Sequence, residues 1–66
     1  MSMQERDALW DLARVLEAEP NPTQALIDLV DAESGRLFDS NYLDGQEYHH
    51  LYEILAGARK RLAAPR

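Results

Sequence analysis

The 66-residue chain predicts an all-α fold, a small antiparallel three-helix bundle completed by dimerisation. Three observations carry this. Apolar residues recur at helical spacing in three segments, each segment opens on a helix-start signal, and no stretch alternates as a strand would. The predicted helices cover about residues 3–18, 22–38 and 45–62 of one domain, residues 1–66, with a basic end at 59–66.

The first helix opens on "SMQE". Ser2 and Glu5 have capping-box spacing, the hydroxyl accepting from the Glu5 backbone while the Glu5 carboxylate reaches back. Ala8, Leu9, Leu12, Ala13, Val15 and Leu16 then share one side, with Asp7, Asp11, Arg14 and Ala18 opposite. "EPNP" ends the segment, because Pro20 and Pro22 each disfavour helix at the residue before them.

For the second helix Asn21 is the expected N-cap, Pro22 the first helical residue and Gln24 the capping-box partner. Leu26, Leu29, Val30 and Leu37 form the expected inner stripe, widened by Ile27 and Phe38. Gly35 either interrupts the helix or ends it, and inside a helix it costs about 1 kcal/mol relative to alanine.

The third helix is the most strongly specified. Asp44 and Glu47 have capping-box spacing, and Leu43 and Tyr48 have the spacing of a hydrophobic staple. Tyr48, Leu51, Leu55, Ala58 and Leu62 then recur at packing intervals. Arg59, Lys60 and Arg61 suit the C-terminal dipole.

Composition excludes several chemistries. With no cysteine, disulfides, thiolate metal sites and cysteine nucleophiles are ruled out. At 45% hydrophobic and 29% charged the chain is of globular type, and no apolar run approaches the ~20 residues that span a bilayer. The start, "MSMQERDALW", lacks signal-peptide character, so a cytoplasmic protein is the default. Residues 1–53 hold all 12 acids and three bases, a net −9; residues 54–66 hold four bases and no acid. An acidic body disfavours broad contact with nucleic acid or anionic membrane.

"DSNYLDGQEYHHLYE", residues 39–53, has the look of a metal site. As a calcium loop it fails in both registers. Starting from Asp39, Leu43 and Asp44 fall at positions five and six; setting Gly45 at six puts Tyr42 at three and Leu51 at twelve. Glu47 and His50 have the Glu-x-x-His spacing of di-iron bundles, and Glu33 falls within the apolar arc of the second helix. Against this, Glu47 is assigned to the cap, His49 and Glu53 fall on a polar face, and one helix cannot close a site. We expect no metal and no cofactor, with Glu33 reaching solvent or a nearby arginine.

Ser2, Thr23, Ser34 and Ser40 lack any nucleophile-elbow setting, and there is no glycine-rich phosphate loop, so no enzyme is expected. The strongest remaining pattern is apolar residues at helix margins: Trp10, Ile27, Phe38, Tyr42 and Tyr52 are the candidate contacts to a protein partner. Trp10 has a competing reading as a core edge whose indole is covered by Arg6 and Arg14.

The expected function is therefore a small acidic regulator or inhibitor that binds another protein of unknown identity. A thin core favours homodimerisation through first- and second-helix margins. The alternative is a small DNA-binding regulator using Arg59, Lys60 and Arg61. In size and charge the chain resembles small regulators, antitoxin-like proteins and phage-encoded inhibitors, a resemblance that rests on no specific motif.

Overall fold

The computed structural model describes the backbone of residues 2–64 and the side chains of residues 4–64. Three helices, α1 (Ser2–Ala18), α2 (Gln24–Asp39) and α3 (Gly45–Ala63), pack pairwise on one another, and no strand occurs among the described residues. The all-α three-helix expectation holds.

The core is a single cluster. Leu9, Ala13 and Leu16 come from α1, Ile27, Val30 and Leu37 from α2, and Leu51, Ile54, Leu55 and Ala58 from α3, with Leu43 closing it from the α2–α3 connection. Trp10, Leu12, Leu26 and Leu62 pack on its margin. The only buried polar side chain described, Ser34, satisfies its hydroxyl by donating to the Val30 carbonyl at 2.6 Å.

Several boundaries moved. α2 begins at Gln24, two residues later than expected, and its N-cap is Thr23 rather than Asn21. Pro22 is buried in the corner, and the two prolines hold Glu19 and Asn21 away from helical backbone. Thr23 is then the first residue free to cap: its backbone is extended and its Oγ1 accepts from the Leu26 N–H at 3.2 Å. The Asn21 N–H donates to Glu19 Oε1 at 3.1 Å, and Gln24 donates to Asp28 one turn on, not back to a cap. Helix α2 runs through Gly35 without a break. The Ser2 half of the expected capping box lies outside the described side chains, as does the end of the basic segment at residues 65–66.

Residues 40–44 both stop α2 and start α3. Asn41 takes a left-handed conformation, φ 65°, which asparagine tolerates better than most side chains. The Tyr42 N–H donates to the Leu37 carbonyl at 2.9 Å and the Asn41 N–H to Phe38 at 3.1 Å, the paired bonds of a Schellman ending. Three residues later the Asp44 carboxylate accepts from the Glu47 N–H at 2.8 Å, and Glu47 Oε1 accepts from the Asp44 N–H at 3.2 Å. The expected capping box is present. Asp44 and Glu47 serve this box and Asn41 the end of α2, so three of the residues that suggested calcium have structural roles.

Contacts across the bundle give the helix directions. Glu5 meets Arg36, so α1 and α2 are antiparallel. Arg6 meets Glu47 and Arg61 reaches Leu16, so α1 and α3 run parallel. Arg59 pairs with Asp31 and Phe38 with Tyr48, so α2 and α3 are antiparallel.

Candidate functional site

The five candidate partner contacts do not form one surface. Ile27 is a correction: at 0% exposure it belongs to the core and reaches no partner. The margin reading failed there because α2 buries the Ile27–Val30–Ser34–Leu37 line, not the Leu26–Leu29 line beside it. Trp10 is half-buried on the α1–α3 side, its ring 5.6 Å from His50 and tilted by 36°. The two arginines expected to cover the indole each bond to a carboxylate, Arg6 to Glu47 and Arg14 to Asp11 at 2.8 Å.

Phe38 and Tyr48 come together across the α2–α3 seam, stacked at 4.3 Å between ring centres and 17° from parallel. Both remain partly open, Phe38 at 38% exposure, and Tyr52 follows Tyr48 by one turn on the same flank of α3 at 59%. The far end of this seam is closed by Arg59 and Asp31 at 2.8 Å. Tyr42, in the connection at the near end, is also 38% exposed. Three of the five candidates therefore occupy or adjoin one region, and Tyr48, expected in the staple and the packing seam rather than as a partner contact, is its fourth aromatic.

The basic end is mostly committed within the molecule. Arg61 Nη2 donates to the Leu16 carbonyl at 2.8 Å and its Nε to the Glu19 carbonyl at 3.0 Å, so a residue of α3 caps the C-terminus of α1. Helix α1 has no basic residue in its own last turn. With Arg59 held by Asp31, Lys60 is the one cation of the Arg59–Lys60–Arg61 group without a salt bridge or hydrogen bond among the described residues.

The residues weighed for metal are dispersed. Glu33 pairs with Arg36 at 2.7 Å, and that hydrogen-bonded guanidinium holds its carboxyl below the usual range. Glu5 approaches the same guanidinium at 3.0 Å, and the two carboxylates together raise the arginine further above its ordinary value. His49 lies 3.7 Å from Glu53 on the exposed face of α3, and Glu47 serves the cap and Arg6. Among the described residues no three His, Asp or Glu side chains gather as a metal-holding group.

One groove of about 250 Å³ lies between α1 and α3, lined by Glu17, His50, Glu53, Ile54, Gly57 and Arg61. It is open and below the ~300 Å³ at which ligand sites usually begin. No described helix is long and apolar enough to cross a membrane. Comparison with known protein families, with curated proteins and with solved structures finds no match.

Proposed function

We propose that the chain is a small, non-catalytic, acidic helical interaction module, a regulator or inhibitor that acts by occupying a surface on another protein, and that it self-associates as a two-fold dimer. The observation that carries this reading is the aromatic region of α2 and α3, where stacked Phe38 and Tyr48 adjoin open Tyr52. Rigid aromatic rings bury large areas at low entropic cost, and they dominate binding energy where they cluster. The first- and second-helix margins expected to hold the dimer contribute less at two positions, because Trp10 on α1 packs beside His50 and Ile27 on α2 is internal. The dimer contact is therefore assigned to α2 and α3, where Arg59 neutralises Asp31 beside the aromatic rings. A nucleic-acid reading has less support, since Arg59 and Arg61 already serve Asp31 and the end of α1.

Affinity capture from the native cell, with wild-type chain and a Phe38→Ser/Tyr52→Ser double variant as parallel baits, tests the reading. A partner held by the wild type and lost by the folded double variant supports it. Equal retention by both removes the aromatic region as the contact.

A further inference from the structure

We propose that the outer groove between α1 and α2 is a docking site for one basic amphipathic helix of a partner protein. This rests on the interaction-module reading but uses a different face. Glu5 opposite Arg36 sets the antiparallel register of the two helices. In that register Leu12 comes level with Leu29 and Val15 with Leu26, on the flank that also carries Glu5. Leu12 and Leu26 pack on the core margin, whereas Val15 and Leu29 are 57% and 46% exposed. Ala8 on α1 and Ala25 and Ala32 on α2, all exposed, extend the strip with small side chains that allow close approach. The result is an aliphatic trough between the two helices along Leu12, Val15, Leu26 and Leu29, closed at one end by the ion-paired Glu5, Arg36 and Glu33, the shape that receives a short helix through anchors at i, i+3, i+4 and i+7.

Charge decides the occupant. Beyond the strip stand Asp7 and Asp11 on α1 and Asp28 on α2, and neither Asp7 nor Asp28 forms an ion pair among the described residues. Residues 2–39 carry nine acidic side chains against three arginines. A second copy would set two such acidic units face to face, and like-charge juxtaposition suppresses that pairing. Length argues the same way. Helices of 17 and 16 residues are roughly 25 Å long, so the trough offers well under the ~800 Å² per partner of a standard interface, though enough for one helix. Leucines seated along Leu12, Val15, Leu26 and Leu29, with lysines or arginines on both sides, match apolar floor and acidic rim together.

The probe is an 18-residue Leu/Lys peptide with an apolar stripe, set against a scrambled peptide of equal charge and a Leu/Glu peptide of the same stripe. Binding is followed by amide chemical shifts of the intact chain. The expected result is saturable binding of the Leu/Lys peptide, with the largest shifts at residues 8–15 and 25–32. The scrambled and acidic peptides should bind at least about tenfold more weakly, and Val15→Asp or Leu29→Asp should lower affinity by at least about tenfold while leaving the helical spectrum unchanged. Val15 and Leu29 are exposed, so both variants retain the core. Equal binding by the scrambled peptide, shifts centred on Phe38 and Tyr52, or full affinity in the aspartate variants each overturns the proposal. A wild-type dimer abolished by Val15→Asp overturns it too, in favour of a second copy. If no peptide binds but self-association still depends on Phe38 and Tyr52, this inference falls and the interaction-module reading stands.

Discussion

Arg6 donates through Nη2 to Glu47 Oε2, and the other oxygen of the same carboxylate accepts from the Asp44 backbone N–H. One side chain thus completes the α3 capping box and ties the start of α3 to the first turns of α1, 41 residues away in sequence. The pair is only partly exposed, at 32% and 22% for the two side chains, so it is screened less than a surface pair. Glu47→Ala removes both functions and should cost about 1–2 kcal/mol, the sum of a cap and a modest ion pair. Glu47→Gln keeps an acceptor for the Asp44 N–H and should cost less. Urea titration of the two variants gives the comparison, and equal losses would show that the cap contributes nothing.

Arg61 makes a second long-range tie. Its two bonds reach carbonyls at the end of α1: Leu16, which also accepts from the Glu19 N–H at 3.3 Å, and Glu19, one residue past the helix. Arg61→Ala should destabilise by about 1–3 kcal/mol, the range for hydrogen bonds from a charged donor. Arg61→Lys should recover little, because one ammonium cannot reproduce the guanidinium fork. Thermal melts check this, and a fully stable Arg61→Lys would show that charge near the helix end suffices.

Gly35 lies inside α2, and a methyl group added there meets no atom within 4 Å. Gly35→Ala should therefore stabilise by about 1 kcal/mol, raising Tm by roughly 4–8 °C for a domain of this size. A lower Tm would show that the half-buried surroundings of Gly35 are more crowded than the structure has them.

The Glu33–Arg36 pair gives a pH dependence of known sign. The Glu33 carboxyl is held below its ordinary value of 4.5, so the folded chain releases this proton more readily than the unfolded chain. Its stabilising contribution is present above about pH 4.5 and is lost as pH falls through the lower folded-state value. Glu33→Gln should lower Tm at neutral pH and converge with wild type in strong acid. A Tm difference that is constant with pH would contradict the ion pair.

How much of this was legible in the chain depends on the distance between the interacting residues. Asp44 and Glu47 are three apart, and both ends of their interaction can be read from the spacing; the packed line Leu51–Leu55–Ala58 repeats within one helix. The choice between adjacent stripes was less accessible. Val15 and Leu29 have the periodicity of buried residues, yet the bundle turns them outward and buries Ile54 and Ser34, because helix rotation is set by the other two helices. Thr23 displaced Asn21 because the corner buries Pro22, a tertiary effect. Phe38 against Tyr48 and Arg61 against Leu16 join residues brought together only by the completed fold. Ile27 was misplaced for the same reason as Leu29.

The most direct test of the interaction reading is sedimentation equilibrium of the wild type beside the Phe38→Ser/Tyr52→Ser variant, each verified as helical by circular dichroism. The account predicts a wild-type dimer at micromolar concentration and a monomeric double variant. A wild type that stays monomeric at high concentration, or a double variant that dimerises equally well, would contradict it.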